Sequence, residues 1–312
     1  MGDQALLSVY MIDKENNKLP LPHPTGFVIN REIGAADDLT INFPYFDPKK
    51  YCASKIELAV DERIEFSGII DELKINESPR GTVASIYSRS KAALLLDNEA
   101  KPGDYTNIGS KLLVQNHLAP FGIDYICEDS GEYTDLSIYK GTSHWQVIKS
   151  FCSACYLTEP YVDERGRVIL RRRDYETLSF SNSGELPYTT AEITNRYYKL
   201  ISSVYTKATS RRDYDIENTN PIAESFGVCR TRYVDGALFG NNYALNLIER
   251  GNEESLQIKV TAPYYLHCPL GCNGKIKLNN KNIYDNLNCR RVKQSFSSNG
   301  FETIVYMLGK IK

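Results

Sequence analysis

The 312-residue sequence has one tryptophan, three methionines and four histidines, and it has no excess of either charge, with 37 Lys and Arg against 39 Asp and Glu. So few histidines (His23, His117, His144 and His267) leave little material for a His-based acid, base or nucleophile relay. A formal net charge of −2 removes the large basic excess that marks most nucleic-acid-binding domains. No apolar run approaches the roughly 18–20 residues of a spanning helix, so no membrane insertion is expected. The start, Met1-Gly-Asp-Gln4, has neither the basic region nor the apolar core of a secretory signal. The phosphate-loop pattern Gly-x4-Gly-Lys-Ser/Thr, the dinucleotide pattern Gly-x-Gly-x-x-Gly, His-Glu-x-x-His and Gly-x-Ser-x-Gly are all missing. No cofactor and no catalytic residue is therefore expected.

The sequence does hold a great deal of tyrosine, 22 against 11 Phe, in a chain that is 42% hydrophobic and 24% charged. That balance is ordinary for a folded protein and wrong for a disordered one. Tyrosine buries a ring while keeping a wet end, which suits strands and interfaces. The length corresponds to about two domains. There are eight cysteines: Cys52, Cys127, Cys152, Cys155, Cys229, Cys268, Cys272 and Cys289. With no secretory signal they read as reduced thiols of a cytosolic product. Cys268-x-x-x-Cys272, with His267 and Cys289 nearby, has spacing that zinc could use. Cys152-x-x-Cys155 lies within the apolar helical pattern of Trp145, Val147, Ile148 and Phe151, where buried structural cysteine is the simpler reading. The expectation is no metal.

Along the chain, the first hundred residues alternate as strands: 5–12, 27–33, 39–43, 55–60, 64–75 and 82–88, with turn residues between them. The spacing predicts a helix over 108–118, ended by Ala119-Pro120, and a second from about Ser143, a natural N-cap, to Tyr156. Residues 161–173 read as a hairpin turning at Asp163 to Gly166. The last third returns to strands at 200–207, 228–234, 256–261, 275–278, 291–296 and 302–308, with a short helix over 242–250. The fold class is α+β, mainly β.

Two stretches echo each other. Lys55-Ile-Glu-Leu58 and Lys275-Ile-Lys-Leu278 are each followed by a polar turn, Asp61-Glu-Arg63 or Asn279-Asn-Lys281. A longer strand follows in both, then a turn containing Gly81 or Gly300, then a strand with Ile86-Tyr87 or Ile304-Val-Tyr306. Alternation at period two puts Ile56 with Leu58, and Ile276 with Leu278, on one face.

Other candidates have plainer explanations. His23 sits in a Pro-flanked loop, His117 near a helix end, and His144 in a first helical turn. Glu253-Glu254 imitates a glycosidase carboxylate pair but lies in a polar, solvated context. Arg171-Arg-Arg173, with Arg165 and Arg167, is the best nucleic-acid candidate; a solvated strand face or salt-bridged edge fits a slightly acidic chain better.

Gly68-Ile-Ile-Asp-Glu-Leu73 and Ile86-Tyr-Ser-Arg-Ser-Lys-Ala-Ala-Leu-Leu-Leu-Asp97 resemble the first barrel of baseplate hub proteins of contractile-tailed phages and phage-tail-like bacteriocins, of the late control protein D type. Gly141-Thr-Ser-His-Trp-Gln-Val-Ile-Lys149 and Gly166-Arg-Val-Ile-Leu-Arg171 are similar to the middle module of that family. So are Gly240-Asn-Asn-Tyr-Ala-Leu245, Val260-Thr-Ala-Pro263, Gly274-Lys-Ile276, Val292 and Gly300-Phe-Glu-Thr303. The resemblance implies two tube-like β-barrels, over 1–97 and 186–312, flanking a small α+β module over 98–185, with part of 186–235 returning to complete the first barrel. It implies a homotrimer that adapts a hexameric tail tube to a trimeric spike and forms part of a central channel. Its implied partners are the tail tube protein or tube initiator, the trimeric spike and other baseplate proteins, without tight nucleic-acid binding. The implied location is the host cytoplasm during assembly and then the baseplate of a virion or tail-like particle. Two barrels per chain would convert threefold into approximate sixfold symmetry. The turns Asp61, Glu62, Arg63 and Asn279, Asn280, Lys281 are then the candidate tube-docking sites. Cys268-Pro-Leu-Gly-Cys272 departs from the family pattern, and no fused cell-wall hydrolase is expected after the last strand. The competing readings are a peptidoglycan hydrolase of the tail tip and a carbohydrate-binding β protein.

Overall fold

The computed structural model describes residues 6–47, 50–51, 53–79, 81–127, 131–171, 177–184, 186–207, 213–235, 243–279 and 281–312. The fold is α+β and mainly β, and the chain forms two compact units. The first comprises Met1–Glu176, Ala262–Cys272 and Arg291–Val305; the second comprises Thr177–Thr261, Asn273–Arg290 and Tyr306–Lys312.

The first unit opens with strands β1 (Leu7–Asp13), β2 (Lys18–Pro20), β3 (Gly26–Glu32), β4 (Asp38–Pro44), β5 (Ala53–Val60), β6 (Arg63–Ser78) and β7 (Gly81–Ser90). They pair in the order β3-β4-β7-β6-β5-β1-β2. Period-two alternation decides which side faces in. Val9 and Met11, Phe27 and Ile29, Leu39, Ile41 and Phe43, Ile56 and Leu58, and Ala84 and Ile86 form one buried cluster. Gly68 of β6 is required where it stands, because a Cβ there would lie 2.2 Å from the Arg89 carbonyl oxygen. The free side of β3 is taken by residues 291–296 of a late strand, in antiparallel register from Arg291 opposite Glu32 to Phe296 opposite Phe27. Among the described residues no pairing closes this run into a barrel.

The same unit carries helices α1 (Leu94–Asp97), α2 (Ser110–His117) and α3 (His144–Tyr156) with short strands β8 (Gly103–Gly109), β9 (Tyr125–Ile126), β10 (Tyr133–Ile138), β11 (Tyr161–Val162) and β12 (Val168–Ile169). Ser143 caps α3 as its sequence predicts: its hydroxyl accepts from the Gln146 N–H at 3.2 Å, and the Gln146 side chain accepts from the Ser143 N–H at 2.9 Å. The buried face of α3 is Trp145, Val147, Ile148, Phe151 and Cys152. The hairpin at Asp163–Gly166 turns because the Asp163 carboxylate accepts from the N–H groups of Arg165 and Arg167, at 3.1 and 2.9 Å. The helix predicted over 108–118 starts at Ser110, because Ile108 and Gly109 end β8.

The second unit holds β13 (Leu178–Ser181), β14 (Thr190–Asn195), β15 (Ser203–Lys207), β16 (Ile216–Thr219), α4 (Pro221–Ser225), β17 (Thr231–Asp235), α5 (Tyr243–Glu253), nearly all of β18 (Leu256–Ala262), and β19 (Asn273–Lys277), with the first part of β20 (Ile283–Ser297) and the last part of β21 (Gly300–Gly309). The order is β14-β18-β21-β20, with β19 on β20 and β13 parallel to β19. A separate sheet, β16-β15-β17, buries Val204 and Val234 against Ala244 and Ile248 of α5.

The two echoing stretches have the same topology. β5-β6-β7 and β19-β20-β21 are both antiparallel meanders whose central strand is the longest, at 16 and 15 residues. Ile56, Leu58 and Ile276 are fully buried. Leu278 differs from its counterpart Leu58: it lies beyond β19, where its N–H closes the turn on the Asn282 carbonyl at 2.8 Å.

Two of the four histidines meet within the first unit. The Nδ1 atoms of His117 and His144 lie 2.9 Å apart, and His117 is only 2% exposed. Burial, then the neighbouring His144, lowers the His117 pKa to about 4. The unfolded chain takes up this proton near pH 6.5 and the folded chain does not, so stability is fully present above that pH and is lost as the pH falls toward 4. Thermal melts should show this group costing up to about 2 kcal/mol at pH 5 relative to pH 7. His117→Gln should reduce that pH dependence; an unchanged slope would show that His117 titrates normally.

Candidate functional site

The turn Asp61–Arg63 joins β5 to β6. Val60 pairs with Arg63, leaving a two-residue loop in which Asp61 and Glu62 both have positive φ, at 48° and 65°. This is the primed turn that matches strand twist, and it favours Asn-Gly or Asp-Gly. Glu62 therefore occupies a position where glycine would be easier. Asp61 is structural: its carboxylate accepts from the Leu6 N–H at 2.8 Å and its own N–H donates to the Leu6 carbonyl at 2.9 Å. Both bonds tie the start of β1 to the turn.

Arg63 is exposed on one side and anchored on the other. Its Nη2 lies 2.6 Å from Nε2 of His267, and its Nε lies 3.7 Å from Glu65 Oε1. His267 Nδ1 lies 3.0 Å from the same Glu65 oxygen. Glu65 is fully buried, and its other oxygen lies 3.4 Å from the Arg31 guanidinium, itself 2% exposed. Arg31 also donates to Gln294 Oε1 at 2.6 Å, and Gln294 Nε2 donates to the Leu266 carbonyl at 2.8 Å. Burial raises the Glu65 pKa, but the His267 hydrogen bond and the Arg31 charge outweigh it and hold the carboxyl below its ordinary range. Asp37, also buried, is pushed well up by desolvation against the pull of Arg31.

The second turn has another geometry. Leu278 and Asn282 close it, the Lys281 N–H donates to the Leu278 carbonyl at 2.9 Å, and Lys281 has φ 69°. Asn279 accepts from Asn182 at 3.2 Å, and Asn280 lies outside the described residues. The two turns thus occupy equivalent places in their meanders but differ in loop length and turn type.

The other sequence candidates separate from these turns. Glu254 is paired with Lys199 at 2.6 Å and Arg250 at 3.0 Å, and these bonds outweigh burial in lowering its pKa. Such a carboxylate is poorly suited to general acid work. Arg171 lies over the Tyr156 ring, 5.9 Å from its centroid, while Arg172 and Arg173 lie outside the described residues. The thiols of Cys268 and Cys272 are buried, as is that of Cys289, and Cys52 lies outside the described residues. Sequence reading missed the joint role of His267 and Glu65, because 202 residues separate them and no local pattern links them.

Glu62→Gly should stabilise the protein by about 1 kcal/mol in urea unfolding, since it relieves a left-handed non-glycine residue. Asp61→Ala should cost about 1 kcal/mol by removing the hydrogen bond that the carboxylate accepts from the Leu6 N–H. If Glu62→Gly destabilises, the turn carries a contact absent from this account. Glu65→Gln removes the ion-pair partner of buried Arg31 and should cost about 3–5 kcal/mol; a loss below 1 kcal/mol would contradict the assigned network.

No protein-family profile and no curated protein matches the sequence. Solved structures do. A tail protein from Neisseria meningitidis MC58 superposes with a TM-score of 0.75 at 14% identity, covering 98% of this chain and 96% of that one. The 43 kDa tail protein of prophage MuSo2 from Shewanella oneidensis gives 0.75 at 13% identity, covering 97% and 98%. The E. coli c3393 protein, described as a component of the type VI secretion system with structural similarity to the bacteriophage T4 tail proteins gp27 and gp5, gives 0.58 at 13% identity, covering 100% of this chain and 76% of that one. Over nearly its whole length, then, this chain has the fold of phage tail proteins, a fold found also in that secretion-system component.

Proposed function

We propose that the protein is a structural baseplate hub, a homotrimer that joins a hexameric tail tube to a trimeric spike and lines part of the central channel. The observation that carries this reading is the repeated meander within a chain whose fold is that of phage tail proteins. Six equivalent tube edges can be met by three subunits only if each supplies two comparable elements. β5-β6-β7 and β19-β20-β21 are the two such elements, and the turns Asp61–Arg63 and Asn279–Lys281 are their docking points. The remaining partners are other baseplate proteins. The site of action is the baseplate of a virion or tail-like particle after assembly in the host cytoplasm.

The hub is neither an enzyme nor a metalloprotein in this reading. The Glu254 carboxylate is committed to Lys199 and Arg250, and His267 to Glu65 and Arg63, which takes His267 away from Cys268 and Cys272 as a ligand. Peptidoglycan turnover by purified protein, or stoichiometric zinc in it, would overturn this half of the proposal.

A trimer that transmits force should bury an interface on the order of 2,000 Å² or more per subunit pair. Mass photometry at nanomolar concentration should therefore find three chains per particle. Clean dissociation into folded monomers, persisting after addition of tube protein and spike, would refute the hub.

A further inference from the structure

We infer that His267 is a latch on the Asp61–Arg63 hairpin: the neutral imidazole holds the Arg63 side chain down, and protonation releases it. The inference rests on the reading of this hairpin as a docking element and names its regulation.

The geometry fixes the tautomer. A guanidinium has only donors, so across the 2.6 Å contact Arg63 Nη2 donates and His267 Nε2 accepts. The imidazole proton must then sit on Nδ1, where it donates to Glu65 Oε1 at 3.0 Å. A neutral histidine satisfies both neighbours at once. A proton taken from solvent onto Nε2 removes the acceptor and sets two cations head to head. The Nδ1–H bond to Glu65 survives that change and gains a full charge.

The surroundings decide which partner leaves. Glu65 is fully buried and held from behind by Arg31, while the Arg63 side chain is 54% exposed and has water to enter. The groups facing this site are Arg63 and Glu65 from β6, Arg31 from β3, Gln294 from β20, and Tyr265 beside His267. Asp37 acts on Arg31, and its own burial pushes its pKa well up. Only Arg63 can move without stranding a buried charge. Once released, it adds a mobile positive charge beside Asp61 and Glu62, so the hairpin presents a different electrostatic face to its partner.

Side-chain nitrogen NMR on the full-length protein labelled at arginine and histidine tests the latch without any tube protein. The Arg63 Nε–H resonance should shift and sharpen with the same midpoint as the His267 imidazole signals. In His267→Gln the amide can still accept from Arg63 and donate to Glu65, so Arg63 should stay held at every pH. In His267→Ala it should be mobile at every pH. An Arg63 signal that ignores the His267 titration, or a transition that persists in His267→Gln, overturns the latch. Failure of the docking reading would appear elsewhere, as unchanged tube-protein binding when the hairpin turn is deleted.

Discussion

A carboxylate buried to 0% exposure organises the first unit. Glu65 lies on the inward side of β6, and burying such a charge costs several kcal/mol unless it is paired and hydrogen-bonded. The compensation comes from distant parts of the chain. Arg31 arrives on β3, one strand-alternation step beyond Phe27 and Ile29. Gln294 arrives on β20, two residues from the Val292 that pairs with Arg31. His267 arrives on the segment Ala262–Cys272, whose backbone is pinned by Gln294 and by Thr303, which accepts from the Leu266 N–H at 3.0 Å. The charge network and the strand pairing reinforce each other, because β20 covers a side of β3 that would otherwise be an open edge. The far end of the chain is thereby required by the fold of its beginning.

That requirement bears on function. The proposed hub would need its repeated elements held in fixed positions, and the network ties the first meander to β3 and to the late strand β20. β6 carries Glu65 two residues after Arg63, so the proposed docking turn runs directly into the buried network. The turn itself is less comfortable than it could be. Two non-glycine residues share left-handed backbone in a loop that glycine would ease, and strain of this kind persists where surrounding structure enforces it. The second meander keeps the topology while using a different turn, consistent with two surfaces that are comparable in place without being copies in sequence.

Most strands, and helices α2, α3 and α5, were legible because their apolar residues alternate or recur at helical spacing. Ser143 announced its helix through a local capping pattern, and Asp163 its turn. The antiparallel pairing of β8 with β10 was not legible. Its sequences, Gly-Asp-Tyr-Thr-Asn-Ile-Gly and Tyr-Thr-Asp-Leu-Ser-Ile, are largely exposed and carry no alternation strong enough to mark a strand. Glu65 was hidden in another way. In the sequence it reads as one polar residue of an alternating strand, yet it is buried together with its neighbour Phe66. That burial is tolerable because Arg31, 34 residues earlier, faces it and His267, 202 residues later, hydrogen-bonds to it. The turns were visible as polar breaks, but their geometries were not, since Glu62 and Lys281 stand where composition would favour glycine.

In the proposed hub each chain offers two docking elements to the tube. Native mass spectrometry of the assembled hub with purified tail tube protein measures this directly. Six tube subunits on three hub chains are expected, a ratio of two to one, falling to one to one when the Asp61–Arg63 turn is deleted and the trimer is retained. A ratio of one to one with the intact protein would contradict the proposed hub.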